Sequence, residues 1–220
     1  MTFSILAQDL NTGAFGGAAA TGSLCVGGWV LRGDSRVGMS ASQGAAPSTM
    51  WGEDALKQMQ AGDGAEQALS TVIGRDAGRD WRQLALLDGA GGTACHTGSK
   101  NTEWCGSLVV PGLVVSGNLL AGPQVLEALR DTFLAADGDL AERLLASIAA
   151  AEAAGGDTRG LQSAALLVVS DDAPPLTLRV DWSETPIFDL RHLYRRTQSG
   201  AYAAWLPSVP TRNDPERGHD

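Results

Sequence analysis

The chain opens with Thr2-Phe3-Ser4-Ile5-Leu6-Ala7-Gln8, a turn at Asn11-Thr12-Gly13, and then Gly16-Gly17-Ala18-Ala19-Ala20-Thr21. The first run alternates roughly polar and apolar, as a half-buried strand does. The last reads as a second strand built almost wholly of glycine and alanine. Side chains that small suit the close stacking of one sheet on another. The same bias runs through the sequence, where 28 of 220 residues are Gly and 33 are Ala. The glycines follow no Gly-X-Y period, which excludes collagen.

Further strands are expected at Cys25–Leu31, Val37–Ser42, Gln83–Asp88 and Gly92–Thr97, the last two joined by the hairpin signal Asp88-Gly89-Ala90-Gly91. Trp51, Ala55, Leu56 and Met59 share one face of a helix from about 51 to 61. Asp63 and Glu66 stand at capping-box spacing before a second helix carrying Ala65, Ala68, Leu69, Val72 and Ile73. The second half repeats the plan. Leu113–Ser116 is a short strand, and Gly122-Pro123 starts a helix with Val125, Leu126, Leu129 and Phe133 inward. Asp139 and Glu142 cap the next helix, and strands follow at Ala164–Val169 and Leu176–Val180. A last helix spans about 186–197. The expected organisation is one domain over 1–205 and a polar, disordered tail over 206–220. Strands and helix pairs in this order permit a four-layer αββα sandwich, an α+β fold with two antiparallel sheets covered by helix pairs; a two-layer α+β fold is equally compatible with the periodicity.

Composition also bounds function. The net charge is −9, with two lysines among sixteen basic residues, so nucleic acid and anionic membrane are not expected partners. Arg191, Arg195 and Arg196 form the one basic cluster, at helical spacing. No apolar run reaches the 18 or so residues of a membrane span. Met1-Thr2-Phe3-Ser4 lacks the basic and apolar regions of a signal peptide, and a cytoplasmic location is expected. Three cysteines, Cys25, Cys95 and Cys105, give no disulfide framework.

Four places could carry chemistry. Thr2 would hold a hydroxyl and a free α-amine on one residue once Met1 is removed, which is a known form of activated nucleophile; a plain strand residue is the alternative. The junction Gly155-Gly156-Asp157-Thr158-Arg159-Gly160-Leu161-Gln162-Ser163 crowds polar groups between a helix and a buried strand. There Asp157 and Arg159 could orient an amine or bind a carboxylate, and Gln162 and Ser163 could donate hydrogen bonds, or all could satisfy backbone. Gly117-Asn118, between strand and helix N-terminus, could hold an oxyanion or serve as ordinary capping. His96, between Cys95 and Cys105, could be an acid–base group near the site or a core histidine. The Cys spacing lacks a C-x-x-C element, so no metal is expected. With no P-loop, dinucleotide fingerprint or Gly-x-Ser-x-Gly elbow, no cofactor is expected either.

The opening Met-Thr-Phe-Ser-Ile-Leu-Ala-Gln-Asp, with Ser42-Gln43, Gln83-Leu84, Thr97-Gly98, Gly117-Asn118-Leu119-Leu120-Ala121-Gly122 and the long Gly-Gly-Asp-x-Arg-Gly-x-Gln-Ser-Ala-Ala-Leu motif, resembles domain-of-unknown-function family 1028 over residues 2 to about 195. Its members resemble N-terminal nucleophile (Ntn) hydrolases. The resemblance implies the four-layer αββα sandwich and a homo-oligomer. It also implies an amidohydrolase acting on a small-molecule amide or short peptide, with Thr2 as nucleophile and Asn118, Asp157 and Arg159 around it. Gln162, Ser163, Gly117 and His96 would contact substrate. The chain departs from proteasome-like members of that superfamily: Thr21 and Ser23 stand near the place of an aspartate, and no lysine lies near the third strand, leaving Arg36 or Arg159 as replacements. A non-catalytic Ntn-like fold that binds a small ligand or serves as an assembly subunit is the competing reading.

Overall fold

A computed structural model describes residues 2–102 and 104–218. Met1, whose removal the nucleophile reading requires, lies outside the described residues, as do His219 and Asp220 of the expected tail. The strands are β1 (Thr2–Gln8), β2 (Phe15–Thr21), β3 (Leu31–Asp34), β4 (Gly38–Gly44), β5 (Arg82–Asp88), β6 (Thr93–Thr97), β7 (Trp104–Val110), β8 (Leu113–Leu120), β9 (Ser163–Val169) and β10 (Leu176–Val180). The helices are α1 (Val26–Trp29), α2 (Thr49–Gln60), α3 (Ala65–Gly74), α4 (Gln124–Ala135), α5 (Leu140–Ala153), α6 (Pro186–Thr197) and α7 (Gly200–Trp205). Two antiparallel sheets result, a mixed α+β architecture: six strands in the order β10-β9-β2-β1-β8-β7, and four in the order β3-β4-β5-β6.

Strand alternation sorts the apolar side chains into three clusters. Phe3, Ile5 and Ala7 of β1 pack with Leu126, Leu129, Leu144 and Ile148 of α4 and α5. Leu6, on the other face of β1, joins Met39, Leu87 and Val114 between the sheets. Leu84 and Leu86 of β5 meet Trp51, Ala55, Ala68 and Val72 of α2 and α3. The small-residue strand β2 serves two of these clusters. Ala18 and Ala20 lie in the one with α5, and Ala19 lies between the sheets. A Cβ on Gly16 would stand 2.7 Å from a methyl of Leu144, and one on Gly17 would stand 2.9 Å from a methyl of Leu6. Both neighbours of β2 therefore approach its backbone closely.

The Asp139 capping box forms as expected: the Asp139 carboxylate accepts from Glu142 N at 2.8 Å, and the Glu142 carboxylate accepts from Asp139 N at 3.2 Å. At α3 the outcome differs. Gly64 is the N-cap, and Asp88 rather than Asp63 accepts from Ala65 N, at 2.9 Å. Its other oxygen accepts from Ala90 N and Gly92 N, so one carboxylate closes the β5–β6 hairpin and caps a helix distant in sequence. The strand expected over Cys25–Leu31 begins only at Leu31; Val26–Trp29 is a helical turn packed on β9 and β10. Gly27 permits that contact, because a Cβ there would meet Arg179 and Ala165 at 2.6 and 2.8 Å. Strand β7 has no counterpart in the sequence reading. It is an edge strand whose residues are mostly half-buried, so no clear alternation marks it.

In the tail, Leu206–Ser208 is a 3₁₀ turn and Thr211 is buried. Arg212 pairs with Asp34 at 2.7 Å, and Asn213 N donates to Asp171 O at 3.0 Å. No helix among the described residues is long and apolar enough to cross a membrane.

The two-sided packing of β2 sets the first test. Ala18→Leu and Ala19→Leu should each lower unfolding free energy by about 1–3 kcal/mol through overpacking, the first against α5 and the second between the sheets. Urea unfolding with an unchanged slope measures this.

Candidate functional site

The space between the sheets changes character along its length. On the inner strand faces, Leu6, Phe15, Met39, Leu87, Val114 and Val169 make it apolar at one end. Toward the other end the same faces carry Thr2, Ser4, Thr21, Gln43, Gln83, Thr97, Ser116, Asn118 and Ser163. All of these except the half-buried Thr97 are buried. Buried polar groups need partners, and here they find one another across the sheets.

Gln83 is the centre of that arrangement. Its Nε2 donates to Thr97 Oγ1 at 2.8 Å, Gly117 O at 2.9 Å and Gly106 O at 3.1 Å. Its Oε1 accepts from Gln43 Nε2 at 2.7 Å and Asn118 Nδ2 at 3.1 Å. Gln43 Nε2 also reaches Ser116 Oγ at 3.3 Å, which lies 3.1 Å from Ser4 Oγ. Two acceptors in this buried group, Gln43 Oε1 and Asn118 Oδ1, have no partner.

Thr2 stands at the edge of the network. It pairs with Thr21 of β2 and Asn118 of β8, is 8% exposed, and donates its hydroxyl to Thr21 Oγ1 at 3.2 Å. Both threonines face a cavity of about 620 Å³ whose polar wall also includes Ser23, Gln43 and Arg159. Leu24, Val26, Trp29, Val30, Pro47 and Leu119 supply its apolar wall. Among the described residues, the two non-glycine residues with positive φ adjoin this cavity: Leu119 at 57° and Cys25 at 61°. Leu119 belongs to a β-bulge. Trp104 pairs with Leu120 and Gly106 with Gly117, so β8 places two residues, Asn118 and Leu119, where β7 places one, Cys105. Bulges and left-handed non-glycine residues re-aim side chains at a strain cost, and they recur at functional sites.

The Asp157–Ser163 segment builds the opposite wall. The Asp157 carboxylate is fully buried and accepts from Gly22 N at 2.6 Å and Arg159 N at 2.8 Å. It also accepts from the Arg159 guanidinium at 3.1 and 3.2 Å. Gly22 is required here, since a Cβ would fall 2.5 Å from Gly160 O and 2.6 Å from Asp157 Oδ2. Gln162 donates from N to Thr21 O at 2.8 Å and from Nε2 to Gly22 O at 3.0 Å. Ser163 Oγ donates to Ser23 O at 2.7 Å and accepts from Val26 N at 3.0 Å. These residues clamp the segment 21–26, which supplies Thr21, Ser23, Leu24 and Val26 to the cavity wall.

Of the residues singled out from sequence, Thr2 and Arg159 therefore line one cavity. Asp157, Gln162 and Ser163 support its wall from behind. Gly117 and Asn118 lie within β8 rather than at a helix N-terminus. Gly117 O receives Gln83, Asn118 commits an amide hydrogen to Gln83, and neither faces the cavity. His96 is not brought to Thr2. It pairs with Leu84, so its ring points to the helix side, 5.8 Å from Trp51, with Nε2 3.1 Å from Arg79 O. Arg36 pairs with Asp171 at 3.1 Å beside the β3–β4 turn, away from Thr2. The roles of Gln43 and Gln83 escaped the sequence reading, although both stand in motifs that carried the family resemblance. The described residues hold no group of three His, Cys, Asp or Glu side chains placed to share a metal ion.

Comparison with known proteins bears on this arrangement. The model of a family of unknown function, DUF1028, matches residues 2–190. A solved structure of a DUF1028 protein from Silicibacter pomeroyi is 51% identical, superposes with a TM-score of 0.96, and is aligned over 100% of this chain and 96% of that one. No curated protein matches the sequence.

Two tests follow from the geometry. Gln83→Leu strands the amides of Gln43 and Asn118 in a buried space, and should destabilise the fold by about 1–3 kcal/mol for each donor left unpaired, read by chemical denaturation. Burial pushes the Cys105 thiol above its ordinary pKa. Its reactive thiolate is therefore scarcer than that of a free cysteine at any pH below that raised value. Maleimide labelling at pH 7–8, followed by peptide mapping, should modify Cys105 more slowly than a cysteine in the unfolded chain.

Proposed function

The chain belongs to the DUF1028 family, and on that premise we propose that it is an amidohydrolase of the N-terminal nucleophile type with Thr2 as nucleophile. The observation that carries this reading is the position of Thr2, at the first residue of a central strand and on the wall of a cavity large enough for a small molecule. Supporting it, three apolar clusters separate α4 and α5, the two sheets, and α2 and α3 from one another, in the order a four-layer αββα sandwich requires.

In the proposed reaction the free α-amine of Thr2 takes the hydroxyl proton and the oxygen attacks the amide carbonyl. The C–N bond then breaks, the amine leaves with the proton, and water hydrolyses the resulting ester to return Thr2. Ser23, on the same wall, would donate its hydroxyl to the developing oxyanion. Arg159 takes the place of the cation tuning the amine, with Asp157 fixing its guanidinium. Asn118 acts as a positioning residue through Gln83 and Gln43. The reading carries with it a cytoplasmic homodimer or larger assembly.

The second reading, a non-catalytic ligand-binding or assembly subunit, is favoured by the absence of a lysine from the cavity wall among the described residues. Intact mass of the protein from its native host separates the two first, since a retained Met1 overturns the hydrolase. Against a panel of small amides, Thr2→Ala should lower kcat/KM by about 10³-fold or more with unfolding unchanged, and Thr2→Ser should retain activity. The base must be unprotonated, so kcat/KM should fall as pH drops through the pKa of the α-amine, a group that titrates at about 7.7–8.0 in reference peptides.

A further inference from the structure

The helices on the outer face of the larger sheet form a layer with one basic and one acidic flank. We propose that this layer is the contact between two copies of the chain, related by a two-fold axis that runs along α5. The proposal gives a surface to the assembly named in the reading above, and it does not depend on the chemistry at Thr2.

The layer is ordered across the sheet. Helix α4 packs on β7 and β8, α5 on β2 and β9, and α6 on β9 and β10, so α5 lies between the other two. On α6 the buried residues Ile187, Leu190 and Tyr194 turn Phe188, His192, Arg195 and Arg196 outward, with Arg191 beside them. Phe188 is 65% exposed. Among the described residues no carboxylate pairs with Arg191, Arg195 or Arg196, although the whole chain carries a net charge of −9.

Helix α4 is the complement. Its buried Val125, Leu126, Leu129 and Phe133 turn Glu127, Asp131 and Leu134 outward, and Leu134 is 57% exposed. The one cation beside them, Arg130, is already held by Asp131 at 2.7 Å. Each flank therefore sets one large apolar side chain among charges of predominantly one sign, and the two signs are opposite. The helix between them does not stand in the way. The outward side of α5 carries Ala146, Ala149, Ala150 and Ala153, where a helix facing solvent carries polar side chains.

Two axes in the contact plane bring such a layer onto a second copy of itself. An axis across the helices sets α6 on α6 and arginine on arginine. An axis along α5 sets α6 of each copy on α4 of the other, with α5 on α5, and matches both flanks at once. The helices have 12, 14 and 12 residues. At about 1.5 Å per residue and about 10 Å between axes they present a face on the order of 600 Å² per copy. The contact then buries about 1,200 Å² in total, the lower end of the range for specific interfaces.

Sedimentation velocity on the full-length protein tests this. The unsubstituted chain should be a dimer at low salt, and its dissociation constant should rise roughly tenfold in about 0.5 M salt. The double variants Arg191→Glu/Arg195→Glu and Glu127→Lys/Asp131→Lys should each weaken association by roughly 100-fold, because each sets like charges on both flanks. Circular dichroism should be unchanged in both. Mixed in equal amounts, the two variants should associate, since one now has two acidic flanks and the other two basic ones. Ala149→Arg should give a folded monomer. An unsubstituted protein that is monomeric at about 100 μM, well above the micromolar range of weak specific pairs, overturns the proposal. A dimer that either double variant leaves intact overturns it as well. Two monomeric variants that stay apart when mixed overturn the pairing of α6 with α4. Hydrolysis of the amide panel is scored separately, so loss of the dimer and failure of the hydrolase are told apart.

Discussion

One carboxamide, that of Gln83, reaches from a strand of the smaller sheet into the larger one and joins β4, β6, β7 and β8 through its two polar atoms. Sheets stacked through apolar side chains alone can slide, because hydrophobic contact is non-directional. Hydrogen bonds in a buried space cannot be exchanged for water at no cost, so they fix the relative position of the sheets. The apolar end between Leu6, Met39, Leu87 and Val114 supplies attraction, and the Gln83 end supplies register. Thr2, Thr21 and Gln43 then take their places on a common wall because the strands that bear them are held at one end.

That arrangement also accounts for what could be read from the residues in advance. The hairpin at Asp88–Gly91, the Asp139 cap, the small-residue strand β2 and the helices α2 to α6 are set by local spacing, and the chain folds there as its pattern indicates. The misplaced features depend on contacts distant in sequence. Asp88 caps α3 from a hairpin more than twenty residues downstream. The turn at Val26–Trp29 forms because Ser163 receives Val26 N and β10 leaves room only for Gly27. Edge strand β7 lacks the alternation that would announce it.

The site divides in the same way. Thr2 and Arg159 could be named because a hydroxyl next to a chain start and an arginine in a polar junction are legible residue by residue. Asp157, Gln162 and Ser163 were recognisable as a polar cluster, but their work on the backbone of 21–26 is a property of the fold. His96 stands out in sequence through its place between Cys95 and Cys105; the alternation of β6 sends its ring to the opposite face. Gln43 and Gln83 carried no chemical signature, since a glutamine in a strand looks like any solvated polar residue until its burial is known.

The cavity wall is made of two materials. Thr2, Thr21 and Gln43 are strand residues locked in the ladders of the two sheets and Leu119 is the bulge residue of β8, while Ser23, Leu24, Val26, Trp29, Ala45 and Pro47 come from the segments 22–30 and 44–47, which hold no ladder position apart from Gly44. Side-chain size can change at the exposed positions Ser23, Leu24 and Trp29 without shifting a strand, whereas Gly22, Val26 and Gly27 are held by the clamp from Asp157, Gln162 and Ser163 and by their close packing. Variation in the shape of the cavity is therefore channelled into a few exposed positions facing a fixed polar floor, where substitution leaves the folding determinants untouched.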